Sequence, residues 1–277
     1  MFTALASFLQ ARSKQGQWLL RIDDIDTPRV AAGATDAIMR VLERHGLYWD
    51  RAAVTQSSGT EAYRDALQQL DAAGWLYPCS CSRKTLAALP RPYAESTAYP
   101  GTCRNARRSR RQAHALRTRT GDAIINALDL LQGPQRWDIG REHGDFIVLR
   151  RDGVVSYHLA TVVDDWRLGI TEVLRGFDLL ESTPLQIHLQ SLLGLASPGY
   201  LHVPVIADRQ GVKLSKQNLA EAVDELNPSA TLCKLLALLK QAPPKELQEA
   251  TAEEILAWAV PNWDVSKLAG TTVIGTD

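Results

Sequence analysis

An α/β fold is predicted: a Rossmann-like, doubly wound parallel sheet, interrupted by an insertion and followed by a short helical tail. Three observations predict it. Apolar strand-like runs alternate with helical periodicity as far as Tyr77, the rhythm that builds a parallel sheet through crossover helices. From 78 onward that rhythm lapses into a segment rich in Cys, Pro and Arg. It returns at Phe146, and beyond Asn218 the pattern is mostly helical. The expected divisions are 1–77 for the first half of the sheet, 78–144 for the insertion, 145–218 for the second half and 219–277 for the tail.

The elements follow in order. Residues 1–15 place Leu5, Phe8, Leu9 and Arg12 at helical spacing, with Gly16 positioned to end the helix. Trp18–Ile22 is a short apolar strand with Asp23 and Asp24 at its C-terminal end, where ligands collect in open parallel sheets. Pro28 is expected to open a second helix that runs to Gly46 and buries Ile38, Val41 and Leu42. A third helix spans 60–73 and stops at Gly74. Phe146–Leu149 and Val154–Leu159 read as strands, and Ile170–Arg175 as another. Pro184–Leu193 reads as a helix capped by Ser182 and Thr183. Val203–Ala207 is a strand running into a turn at Gln210–Gly211, and the tail holds a helix at Ala252–Val260. A doubly wound half normally opens with a strand. None precedes the first helix, so the expectation is that a strand and its turn belong upstream of Met1.

Composition narrows the function classes. Hydrophobic residues make up 45% and charged residues 22%, ordinary for a globular protein. No run of about 18 apolar residues suggests a membrane span, and no basic start precedes the first apolar stretch. The four cysteines, Cys79, Cys81, Cys103 and Cys233, are unevenly spaced, which suits a reducing compartment. Cytoplasm and a monomer are the expectations. The 31 basic residues balance 31 acidic ones, unlike a dedicated non-specific nucleic-acid binder. From Arg104 to Arg119, however, seven arginines occur without an acid. Such a cluster follows a phosphate backbone or forms a solvated face.

Two groups carry chemistry. Cys79, Cys81 and Cys103 supply three thiolates for a tetrahedral zinc, leaving one position for another ligand. The alternative is three small buried apolar side chains. Lys213, Ser215 and Lys216 place two ammonium groups around a hydroxyl, suited to phosphate oxygens that gain charge as pyrophosphate leaves. The alternative there is a solvated basic loop. Cys233, His158 and His188 lie on apolar patterns and read as packing, while Asp164, Asp165 and Asp178 read as residues that orient loops and arginines.

Taken together, Arg21-Ile-Asp-Asp-Ile-Asp-Thr-Pro-Arg29, Cys79-Ser-Cys81 with Tyr99 and Cys103, Tyr157-His-Leu-Ala, Leu174-Arg-Gly-Phe-Asp178 and Lys213-Leu-Ser-Lys216 resemble the catalytic core of the glutamyl-tRNA synthetases, a class I aminoacyl-tRNA synthetase family. The likeness is strongest to its short paralogous branch and covers nearly the whole chain. It implies that Tyr99 joins the three cysteines on zinc and that Asp23, Tyr157 and Arg175 hold L-glutamate. Lys216, Lys213 and Ser215 are then the catalytic group that acts with Mg²⁺ on ATP, with Lys216 as the ATP ligand. The implied reaction forms glutamyl-adenylate and passes glutamate to queuosine in the anticodon of tRNA(Asp). One departure is Asp23, where the family has Glu. The family also carries a His-Ile-Gly-His-like segment at its start, which would lie upstream of Met1. Without it, the alternative is a remnant that binds RNA or an amino acid without ligase activity. ATP-dependent activation of glutamate separates the two.

Overall fold

The computed structural model describes residues 1–26, 31–88, 98–106, 114–207 and 226–275. Helix α1 (Phe2–Ser13) buries Leu5 and Leu9 completely. It ends before the expected glycine: Gln15 adopts the left-handed conformation (φ 57°), and the Gly16 N–H closes onto Ala11 O at 2.8 Å. Strand β1 is only Arg21–Ile22, shorter than the apolar run suggested, although Trp18 O and Leu20 O already accept from Asp50 and Val54. Helix α2 (Ala34–Arg44) begins after Gly33, not at Pro28, which lies outside the described residues. It buries Leu42, but Ile38 is 42% exposed. Periodicity marks an apolar stripe without showing what covers it.

Strand β2 (Val54–Thr55) pairs in parallel with β1. Helix α3 (Thr60–Ala72) lies where its pattern placed it, burying Tyr63, Ala66 and Leu70, and Gly74 follows with φ 77°. Then come β3 (Leu76–Cys79), α4 (Arg83–Ala87), β4 (Ala115–Thr118), the hairpin of β5 (Ile124–Asp129) and β6 (Gly133–Asp138), α5 (Ile139–Glu142) and β7 (Phe146–Leu149). β4 is the middle strand of an antiparallel sheet ordered β3–β4–β7.

Val154–Leu159 is not a strand. Only an isolated bridge joins Val155 to Leu149, and helix α6 (Tyr157–Leu168) starts within the run. Ser156 caps it by accepting from the Leu159 N–H. Leu159, Ala160, Val162 and Val163 then share one buried face, so helical spacing prevails over a short alternation. Strand β8 (Glu172–Gly176), α7 (Thr183–Leu193) and β9 (Gly199–Val203) follow.

The expected single sheet exists in two parts. One is β1–β2; the other is ordered β6–β5–β9–β8, parallel except for the β5–β6 hairpin. On one face of β9, Leu201 and Val203 join the core with α1 and the tail helices α8 (Pro228–Leu238) and α9 (Ala252–Asn262). On the other face, Tyr200 and His202 meet α7 through Gln190 and Thr183. Val203–Ala207 is broken at Pro204, which has no N–H for a ladder. Its second part, β10 (Val205–Ala207), leaves the sheet and pairs in parallel with β11 (Val273–Gly275). The tail therefore contributes a strand as well as helices. Among the described residues no helix is long and apolar enough to cross a membrane.

Candidate active site and metal-binding cluster

A cleft of about 750 Å³ lies between the two parts of the sheet. Trp18, Leu19 and Arg21 line one side, and Glu172, Leu174 and Arg175 the other. Tyr157 and Asp165 also line it. Tyr157 is placed by its position as the first residue of α6, behind the Ser156 cap, and it is 39% exposed.

Arg175 sits on β8 and is buried. Its Nε donates to His202 Nε2 at 3.0 Å, Nη1 to Gln186 Oε1 at 2.8 Å and Nη2 to Thr183 Oγ1 at 2.8 Å. A guanidinium has five N–H groups, so among the described residues two remain without a protein acceptor. Thr183 was expected to cap α7; its hydroxyl accepts from Arg175 instead, and α7 has no side-chain cap bond. Across the cleft, Arg21 donates to Asp165 at 2.5 Å and to Asp23 at 2.9 Å. Burial works to lower the Arg21 pKa, but the two carboxylates outweigh it and keep the guanidinium charged. Asp23 does not line the cleft: Arg21 takes its Oδ1, and its side chain is about half exposed. Asp164 is buried and accepts from Tyr63 and Gln56, so it holds the neighbouring helix. Lys213, Ser215 and Lys216 lie outside the described residues.

Sequence reasoning missed Asp129, His202, Thr183 and Gln186. A signal existed for two of them. Asp129 and His202 interrupt apolar strands, and a polar side chain in such a run has to find a buried partner.

The cysteines converge. Cys79, Cys81 and Cys103 place their sulfurs within 4.8 Å of one another. Cys81 and Cys103 Sγ are 3.5 Å apart, and the Tyr99 hydroxyl lies 3.5 Å from Cys79 Sγ and 3.7 Å from Cys81 Sγ. A tetrahedral site with zinc–sulfur distances of about 2.3 Å has edges of about 3.8 Å, so this donor set fits zinc. Tyr99 is fixed by Gly144, whose φ is 64° and where an added Cβ would lie 2.6 Å from Tyr99 O. Burial raises the Cys103 thiol, but hydrogen bonds from Tyr99, the Ser80 backbone and the two other cysteines outweigh it and hold it at about 6. Burial pushes Cys81 up to about 11.

Three arginines of the basic run are tied into this module by hydrogen bonds. Arg117 is buried, stacks 3.8 Å over the Tyr99 ring and donates to Cys79 Sγ at 3.3 Å and Asp145 O at 2.6 Å. Arg104 donates to the buried Asp145 carboxylate at 2.6 Å, and Arg119 to Arg104 O. Arg107, Arg108, Arg110 and Arg111 lie outside the described residues. Cys233 is buried in the core that holds α8 and α9, as its pattern suggested, and His188 is buried.

The fold is that of a class I synthetase catalytic core. Residues 2–259 match the family described as tRNA synthetases class I (E and Q), catalytic domain, and the chain belongs to that family of ligases. More particularly, it is similar to proteins named glutamyl-Q tRNA(Asp) synthetase. That of Methylococcus capsulatus is 49% identical over 270 residues, covering 97% of this chain and 87% of the relative. That of Aromatoleum aromaticum is 48% identical over 265 residues, covering 96% and 84%. Among solved structures, a glutamate tRNA ligase from Elizabethkingia meningosepticum superposes with a TM-score of 0.80 at 22% identity. This chain is covered to 98% and spans 62% of that longer one; at such identity the likeness concerns the fold.

Proposed function

We propose that the chain activates L-glutamate with ATP as glutamyl-adenylate and transfers it to queuosine in the anticodon of tRNA(Asp). The observation that carries this reading is Arg175: a buried guanidinium in the cleft wall, gripped by three neutral acceptors, with two N–H groups left over among the described residues. A planar fork of that kind suits a carboxylate. Tyr157 lies in the same cleft as a hydroxyl partner. Asp23 remains the residue assigned to the ammonium group, although Arg21 holds its Oδ1 and it lies outside the cleft lining, so it would have to turn towards the substrate to meet it. The names of the relatives support both the amino acid and the acceptor.

Lys213, Ser215 and Lys216 are the residues assigned to the ATP phosphates, with Mg²⁺ sharing their charge, so adenylate formation rests on positioning and electrostatics. Cys79, Cys81, Tyr99 and Cys103 hold one structural zinc that staples the antiparallel module, whose own core is small. Arg117 offsets the charge of the thiolates.

The test is incubation with labelled glutamate and ATP, with queuosine-containing or queuosine-free tRNA(Asp). Glutamate-dependent ATP–pyrophosphate exchange is expected, with label transferred only to the queuosine-containing tRNA. Arg175→Ala should raise the glutamate KM roughly 10- to 150-fold, the equivalent of about 1.5–3 kcal/mol for a charge-assisted pair. Absence of exchange by the intact chain would favour a binding remnant without ligase activity; label on queuosine-free tRNA would overturn the acceptor.

A further inference from the structure

Behind Arg175 stands a dyad with no role in the reading above. Asp129, at the end of β5, is almost fully buried, and His202, in β9, is completely so. His202 Nδ1 lies 2.5 Å from Asp129 Oδ2; its Nε2 lies 3.0 Å from Arg175 Nε and 3.3 Å from Thr183 Oγ1. A guanidinium offers only N–H donors. His202 Nε2 must therefore turn its lone pair to Arg175, which places the imidazole proton on Nδ1, donated to Asp129. The carboxylate is held in turn, since Asp129 Oδ1 accepts from the N–H groups of Leu131 at 3.0 Å and Gln132 at 2.8 Å.

Among the described residues the three groups that hydrogen-bond to the guanidinium are thus neutral, an imidazole, the Gln186 amide oxygen and the Thr183 hydroxyl, and the Tyr200 ring that lies 5.3 Å from it is neutral too. Among the described residues none of its hydrogen bonds goes to a carboxylate. Asp129 reaches it only through the imidazole. An acid in direct contact would orient Arg175 equally well but would neutralise the charge that an anionic substrate needs.

We propose that Asp129 and His202 are positioning residues that aim Arg175 at the substrate carboxylate, with Asp129 acting solely by selecting the His202 tautomer. This rests on the reading of Arg175 as a glutamate clamp. Asp129→Asn keeps the shape of the side chain. Its oxygen stays with the Leu131 and Gln132 N–H groups, so its NH₂ faces His202 Nδ1. The imidazole proton must then move to Nε2, where it meets the Arg175 N–H. His202→Gln, by contrast, supplies an amide oxygen near the position of Nε2 without involving Asp129.

The decisive experiment is a double-mutant cycle in ATP–pyrophosphate exchange. Asp129→Asn should raise the glutamate KM roughly tenfold or more and leave the ATP KM unchanged. His202→Gln should stay within about threefold of the parent, and Asp129→Asn should have no further effect in that background. An equal Asp129→Asn effect in both backgrounds, or a glutamate KM that it does not move, overturns the relay. Arg175→Ala run alongside separates the two readings: if it leaves the glutamate KM unchanged, the clamp itself is wrong. Nitrogen-15 NMR of the labelled parent gives a readout independent of activity. The His202 resonance, assigned by its loss in His202→Gln, should show a protonated Nδ1 and a bare Nε2; the opposite tautomer overturns the proposal.

Discussion

Replacing Arg117 by Met tests whether the basic run is partly structural. Methionine fills much of the volume of the arginine stem, so the loss is concentrated in the guanidinium. That group makes two hydrogen bonds, to Cys79 Sγ and to Asp145 O, and stacks over Tyr99 at 3.8 Å. Hydrogen bonds to charged groups contribute about 1.5–3 kcal/mol each and a desolvated cation–π contact about 2 kcal/mol. These terms overlap, and a loss of about 3–5 kcal/mol is expected, as for one partner removed from a buried charged network. With an unfolding entropy of about 2.1 cal/mol/K per residue over the whole chain, Tm should fall by about 5–9 °C. Calorimetry with zinc analysis measures this, and the salt dependence of tRNA(Asp) binding provides the contrast. Arg117→Met should leave that slope unchanged for protein that remains folded. Neutralising Arg107, Arg108, Arg110 and Arg111 together should flatten the slope and leave Tm in place. A variant at position 117 with parental Tm and a flattened slope would show that the arginine contacts RNA and would refute the structural assignment.

Burial, reinforced by the charges of Arg175 and His143, lowers His158 to about 4. Below pH 6.5 the unfolded chain takes up a proton that the folded chain refuses, so stability is intact above 6.5 and declines as pH falls towards 4. At about 1.4 kcal/mol per pH unit the loss approaches about 3 kcal/mol; urea melts at pH 7 and 5 should show it, and His158→Leu should flatten the slope. Gly144→Ala should displace Tyr99, because its Cβ meets the Tyr99 backbone at 2.6 Å in a left-handed conformation, and zinc retention during dialysis against a chelator should drop. Removing zinc from the parent should lower protection of amide hydrogens in residues 76–79 and 98–104 while leaving β8 and β9 protected; uniform protection would argue against a metal staple.

Local signals carried part of the fold. Helix α3 was legible because its stripe, its glycine stop and its length agreed, and α9 begins at a capping box formed by Thr251 and Glu254. The start of α6 was not, since Val154–Leu159 alternates over a stretch too short to separate the two periods. The strand over Val203–Ala207 was legible, but its break and the pairing of β10 with β11 were not, because that partner lies 68 positions further on and only Pro204 hinted at a break. Arg175 and Tyr157, singled out by motifs, both line the cleft, but the cradle around Arg175 was not legible. Asp129 and His202 are 73 positions apart, and no spacing rule joins them. Arg117 shows the limit of reading charge: its neighbours in the sequence suggest a phosphate-seeking surface, whereas its neighbours in space are a ring, a sulfur and a carbonyl.

The pairing of β10 with β11 has a practical consequence for handling the protein. Val205 N donates to Thr272 O, and three residue pairs follow to Gly275, so residues 272–275 act as a clasp on the strand that precedes Lys213 and Lys216 in the sequence. A stop or proteolytic cut before residue 272 strips β10 of its only strand neighbour among the described residues, although every side chain in the cleft is untouched. Any segment joined close to residues 273–275 would crowd that clasp, so a label or purification handle is better placed elsewhere when the lysine segment is under study.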